Sequence, residues 1–150
     1  MSRSKGKSNF GTLLQISDGS AASETFTTIA EIRLINAPEK TTDDVEITHH
    51  GSEGYREFTP SGLKDPSEVA MEMNSVPSEA TQAELMQLED SGEVRTFKII
   101  RPNGITETFP AYVKSIVTNA ADAQSPDAII DTLNLRLTGS CTRTYTAPNP

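Results

Sequence analysis

The side chains best suited to chemistry lie together in His49-His50-Gly51-Ser52-Glu53-Gly54: two imidazoles, a hydroxyl and a carboxylate within six positions. The residues around them point away from catalysis. Neighbouring strand residues face opposite sides, so His49 and His50 cannot chelate one ion. No third His and no nearby Cys completes a zinc set. The stretch lacks the Lys and the helix start of a phosphate-binding loop, and G-x-G-x-x-G is absent. No Ser stands in a G-x-S-x-G elbow. Carboxylates are plentiful in a chain of net charge −8, which describes a solvated acidic surface better than a glycosidase pair. Eight aromatics with no Trp make a poor base-stacking or sugar platform. The chain is expected to hold no catalytic residue, no cofactor and no metal.

The elements around that stretch are strands. TFTTIAEIRLI, residues 25–35, alternates Phe26, Thr28, Ala30, Ile32 and Leu34 against Thr27, Ile29, Glu31, Arg33 and Ile35, which predicts one strand ending at Asn36-Ala37-Pro38. VEITHH (45–50) and EVAMEMNSV (68–76) alternate likewise, the latter with Val69, Met71 and Met73 inward. Residues 50–66 have no period and read as one long loop. PSEATQAELMQLEDSG predicts a helix over about 79–90, with Leu85 and Leu88 on its buried face and Ala80 or Ala83 behind them. Thr81–Glu84 is a capping box competing with Ser78, and Gly92 is the stop. VRTFKII and ITETFPAYVKSIVT join through Pro102-Asn103-Gly104 as a hairpin, with Pro110 marking a bulge or an edge. AIIDTLNLRLTG closes the series. Six strands and one helix predict a mainly β fold, an antiparallel sandwich or barrel with a flanking helix.

Size and charge narrow the function. With 150 residues the chain reads as one domain, 1–150, and the lone Cys141 excludes an internal disulfide. No apolar run is long enough to span a membrane. Residues 1–9 carry Arg3, Lys5 and Lys7 with no acid, whereas residues 39–93 hold 14 acids against Lys40, Arg56 and Lys64. A surface this acidic is a poor one for gripping phosphates.

The order of segments is distinctive: Phe10-Gly11-Thr12-Leu13-Leu14, then Phe26 to Ile32, then Ala37-Pro38, then VEITHHGSEGYREFTPSGLKDPSEV. In that order the chain resembles the tail tube (major tail) proteins of long, non-contractile-tailed bacteriophages, the family that includes the N-terminal domain of the lambda tube protein. The most specific part is Thr48 to Asp65, with Tyr55-Arg56-Glu57-Phe58 and Gly62-Leu63-Lys64-Asp65.

The resemblance implies a structural, non-enzymatic subunit. Six copies form a ring, and stacked rings form a hollow tube in the virion tail, assembled in the host cytoplasm. The tube is built around a tape-measure protein, joins tail terminator and tail tip proteins, and passes DNA without binding it specifically. It implies a flexible N-terminal arm at 1–14, with Arg3, Lys5, Lys7 and Phe10, while the Pro-rich, non-periodic C-terminal end, 140–150, reads from its composition as a second arm or a frayed end. It also implies an inter-ring loop carrying His50, Tyr55, Arg56, Glu57, Phe58, Leu63, Lys64 and Asp65. No additional immunoglobulin-like domain is expected. Alternation over the first three strands puts Phe26, Ala30, Ile32, Val45, Ile47, Val69, Met71 and Met73 on the packed face. Glu31, Glu46 and Glu72 then share the other face as candidates for the channel wall. The competing readings are a β-sandwich binding module, such as a capsid decoration or adhesin-like protein, and a small hydrolase using His49 and His50.

Overall fold

The computed structural model describes residues 8, 10–19, 24–39, 41–65, 68–121, 123–124 and 128–147, with the side chains of 41–43 and 61–65 left undescribed. Among them lie β1 (Leu13–Ser17), β2 (Phe26–Thr28), β3 (Ile32–Ile35), β4 (Thr41–Glu46), β5 (Phe58–Asp65), β6 (Glu68–Asn74), α1 (Ala80–Ser91), β7 (Arg95–Ile100), β8 (Ile105–Thr118), β9 (Ile130–Leu137) and β10 (Thr142–Tyr145). Eight strands form an antiparallel sheet in the order β2-β1-β7-β8-β9-β6-β3, with β10 also on β8, and β4 pairs with β5 alone. The fold is mainly β with a single described helix, as expected, and the sheet does not close into a barrel.

The expected strand over 25–35 is two strands. Ile29–Glu31 turns the chain, with Glu31 in the left-handed region at φ 65°. β2 joins β1 at one edge of the sheet and β3 joins β6 at the other, so one short stretch supplies both edges. The sheet therefore curls until its edges meet across a seam. Ile29 N–H donates to Leu14 O at 2.8 Å, and Asn74 N–H donates to Glu31 O at 2.9 Å, tying the turn to both sides. Further hydrogen bonds come from the helix. Ala30 N–H donates to Thr81 Oγ1, and Gln82 Nε2 donates to Ala30 O, each at 3.2 Å. Alternation cannot register a turn whose partners lie fifty residues away.

The helix matches its expected position, but its N-terminus differs. Glu79 is the N-cap and makes no side-chain cap bond. Thr81 and Glu84 do not form a capping box, because their polar atoms hold Ala30 and Arg95. Thr81 and Gln82, not Ala80, complete the buried face with Leu85 and Leu88. Gly92, at φ 69°, ends the helix by donating to Leu88 O, as its position predicts. Glu89 Oε2 accepts Ile116 N–H at 2.5 Å, fastening α1 to β8.

β7 and β8 form the expected hairpin. The bulge lies at Val113/Ser115 rather than at Pro110. Pro110 falls where β8 passes from its β9 partner to its β10 partner, so its missing N–H breaks no ladder. A Cβ on Gly139 would come 2.9 Å from Pro110 Cγ, which keeps that crossing glycine.

The core lies inside the curl, with Phe97 and Phe109 stacked at 5.9 Å between centroids and Met71, Leu85, Leu133 and Leu135 fully buried beside them. Each such side chain contributes about 1.5–3 kcal/mol. The expected arm 1–14 ends sooner than its motif suggested. Leu13 and Leu14 belong to β1, where Leu14 and Ile16 are core residues. The expected C-terminal arm 140–150 likewise contains β10 and the buried Cys141.

Candidate interaction site

The long loop expected at 50–66 is largely a β-hairpin, and the strand expected at 45–50 is β4, ending at Glu46. β3 and β6 begin the hairpin inside the sheet. Ile35 faces Met71, and the Asn36 side-chain amide donates to Ala70 O at 2.6 Å. Six residues further along both strands Thr41 faces Asp65, so the register carries straight on into β4–β5. The outer half pairs with no strand of the body. Its described side chains at Val45, Ile47 and Phe58 are exposed, and Pro60 and Gly62 give it the composition of a loop.

This arm exposes apolar side chains on both faces. Val45 and Ile47, expected in the core, are 44% and 49% exposed, and Phe58 on the opposite face is 56% exposed. Tyr55 projects from the tip at 79%. Such a surface on a projecting element marks an interaction site.

The tip is braced by polar side chains. His49 and His50 sit in its turn rather than on a strand. Ser52 is buried. Its hydroxyl accepts His49 N–H at 3.0 Å and donates to Glu57 Oε2 at 2.9 Å. Gly51 N–H donates to His49 Nδ1 at 3.0 Å, leaving the Nε2 proton toward Glu57 Oε2 at 3.4 Å. Thr48 Oγ1 accepts Glu57 N–H and donates to Glu46 Oε1. A hydrolytic triad needs the imidazole between hydroxyl and carboxylate. Here the carboxylate lies between the other two and Nδ1 is occupied, so the group holds a turn and gives no activated nucleophile. Among the described residues no cluster of His, Cys, Asp or Glu could hold a metal.

The other expected site residues scatter. Arg3, Lys5 and Lys7 lie outside the described residues, as do the side chains of Leu63, Lys64 and Asp65. Phe10 is 92% exposed ahead of β1. Glu31 and Glu72 come to one end of the sheet. Glu72 lies on β6 facing away from Met71 and Met73, and Glu31 accepts a hydrogen bond from Asn74 Nδ2. Glu46 stands apart from them on the arm, so the three do not share one face. Phe26 is half-buried, with Lys98 Nζ 3.9 Å from its ring centroid.

Three polar groups were not anticipated. Gln82, 2% exposed, donates to Asn74 O and accepts Val76 N–H besides holding Ala30. Arg95 reaches Ser17 O and Glu84, and its guanidinium is held above the ordinary arginine range, first by Glu93 against partial burial and then by Glu84. Its Nε sits 3.2 Å from Glu93 Oε1 as an ion pair without hydrogen-bond alignment. Glu107, 2% exposed, faces Arg101 Nε at 2.9 Å and Arg143 Nη2 at 3.8 Å, joining the β7–β8 turn to β10. Glu107 was detectable in principle, because it occupies the inward parity of Phe109, Ala111 and Val113.

The comparisons agree with this architecture. The sequence profile of the lambda phage tail tube protein, TTP, matches residues 14–144. Comparison with individual curated proteins finds no match. Among solved structures, a chain of the anti-feeding prophage baseplate, 6-fold symmetrised, superposes with TM-score 0.76 at 14% identity, covering 97% of this chain and 98% of that one. A chain of the native gene transfer agent virion gives 0.71 at 19% identity, with coverage of 93% and 99%. The SPP1 tail tube gives 0.62 at 12%, with coverage of 91% and 78%. At these identities the likeness is one of fold.

Proposed function

The chain belongs to the lambda phage tail tube protein family, and from that premise we propose that it is the non-enzymatic subunit of a non-contractile phage tail tube. Six copies form a ring, and the rings stack into a conduit in the virion tail, assembled in the host cytoplasm. The tube houses a tape-measure protein, ends at tail terminator and tip proteins, and passes DNA. The family match over residues 14–144 carries this reading. The arm supports it, since it leaves Val45, Ile47, Tyr55 and Phe58 exposed. The basic segment with Arg3, Lys5 and Lys7 supplies a second contact to an otherwise acidic neighbour. The channel wall is the outward face of β6, with Glu72 and the adjacent Glu31. An acidic wall suits a conduit, because cations there would bind phosphates and hold the genome. Glu46, on the arm, belongs to the stacking contact instead.

Electron microscopy of the concentrated subunit tests the reading, with rings and tubes expected. A compact monomer at every concentration, with no tubes in infected-cell lysate, overturns it and points to a decoration-like binding module.

A further inference from the structure

The face of the sheet that carries Glu72 on β6 carries cations on its neighbouring strands. Lys98, Lys114 and Arg136 lie on β7, β8 and β9 next to the inward-facing Phe97, Ile99, Val113 and Leu135, and so on the opposite side of the sheet. Each has a partner. Lys98 Nζ lies 3.9 Å from the Phe26 ring centroid. Lys114 Nζ donates to Glu68 Oε1 at 2.6 Å, and Arg136 Nη1 donates to the same oxygen at 3.2 Å. The ladder explains the second contact, because Glu68 and Arg136 are directly opposite across β6 and β9. It does not explain the first. Lys114 is on β8, two strands from β6, and is the extra residue of the bulge between Val113 and Ser115. A bulge leaves its extra residue unpaired and re-aims its side chain, and here that side chain crosses β9 to reach Glu68. All three side chains remain about half exposed, so the cluster is open to an anion passing over it.

An ammonium and a guanidinium converging on one anionic oxygen is how proteins hold a phosphate. We propose that Glu68 is a built-in competitor for DNA phosphates, occupying Lys114 and Arg136 so that the backbone of a passing duplex cannot. The inference rests on the tube reading, which makes this face the channel wall, and deepens it. The wall fails to grip DNA because its cations are already taken, and not merely because acids outnumber them. The cluster itself holds two cations and one carboxylate, so without Glu68 it would be a phosphate site. A carboxylate tethered to the same sheet prevails through its effective concentration.

Neutral replacements test the proposal, with melting curves confirming that each variant folds. Glu68→Gln frees both cations, whereas Glu72→Gln removes the same charge from the same strand and frees none. Titrated with a short DNA duplex at low salt, the Glu68→Gln subunit should bind roughly tenfold more tightly than wild type. Its plot of log affinity against log salt should steepen by about two, one for each freed cation. Glu72→Gln should match wild type, and adding Lys114→Gln and Arg136→Gln to Glu68→Gln should abolish the gain. Particles carrying Glu68→Gln should eject DNA slowly at low salt and recover as salt rises. If Glu68→Gln gains no affinity, or Glu72→Gln gains as much, the competitor is wrong and the tube reading stands. A gain in the subunit with normal ejection at low salt takes this face off the channel wall and also overturns the proposal. Wild-type protein that never forms tubes overturns the tube reading, and with it any role for the cluster in a wall.

Discussion

The body and the arm use the same strand geometry in one continuous register, yet different forces hold them. In the body the inward face of every second residue is apolar, and β6 shows it plainly: Val69, Met71 and Met73 are buried while Glu68, Ala70, Glu72 and Asn74 face outward. In the arm the same hairpin leaves its apolar residues in water on both faces and relies on Ser52, Glu57, Thr48 and His49 at its tip. A two-stranded ribbon alone is marginal in water. The body is a folded unit in its own right; in the proposed tube the arm is completed by contact with a neighbouring subunit.

If that division is right, damage to the body should unfold the subunit, and damage to the arm should spare folding but stop assembly. The largest effect is expected from Phe97→Ala, which removes a ring stacked on Phe109. It should cost about 3–5 kcal/mol in denaturant unfolding. Next comes Gln82→Leu. It fits an apolar pocket by volume but strands Val76 N–H, Ala30 O and Asn74 O. A loss of roughly 2–3 kcal/mol is expected, with faster amide exchange concentrated at Ile29–Glu31.

Phe58→Ser reverses the pattern. Thermal unfolding of the isolated subunit should stay within about 0.5 kcal/mol of wild type, while sedimentation shows tube yield collapsing. A large loss of subunit stability would show that the arm packs on its own body after all.

The smallest effect lies at the junction, where Glu68 begins β6 beside Lys114 (2.6 Å) and Arg136 (3.2 Å). These cations, Lys114 first, hold the Glu68 carboxyl below the usual carboxylate range. A depressed folded-state pKa gives stability that is present above the unfolded value and is lost as pH falls through the folded one. NMR titration should find Glu68 ionised to lower pH in the wild type than in a Lys114→Ala variant, and Glu68→Gln should slightly flatten the acid limb of the stability profile. A Glu68 titration unchanged by Lys114→Ala would remove the pair from the account.

What could be read from the residues follows the same division. Strands packed on a core announce themselves: β6, β7, β8 and β9 fall where alternation puts them, and α1 ends at Gly92 as expected. Of the arm, only the end of β4 was legible as a strand, and there the alternation put Val45 and Ile47 in the core although they face water; β5 was read as loop, with Phe58 exposed and Pro60 breaking the pattern. The arm was visible as a motif, since Tyr55-Arg56-Glu57-Phe58 carries the family resemblance. The turn at Ile29–Glu31 was missed for another reason. It has no turn signature of its own, and its hydrogen-bond partners, Leu14, Asn74, Thr81 and Gln82, are all distant in sequence. Glu107 was passed over because a carboxylate in an inward position is rare, although its parity was plain.

That turn also bears on the order in which the chain folds. β2 and β3 attach to strands at opposite ends of the sheet order, and their connection is three residues long. Neither end can seat fully until β1-β7-β8-β9-β6 has formed and curved, and α1 must already be in place to hold Ala30. The β7–β8 hairpin, closed by a four-residue turn, is the cheapest pairing to nucleate, and the 26–35 segment is the dearest. Folding should therefore start at Pro102-Asn103-Gly104 and finish at the seam. Mutations in the 26–35 segment would then change the rate of unfolding far more than the rate of folding.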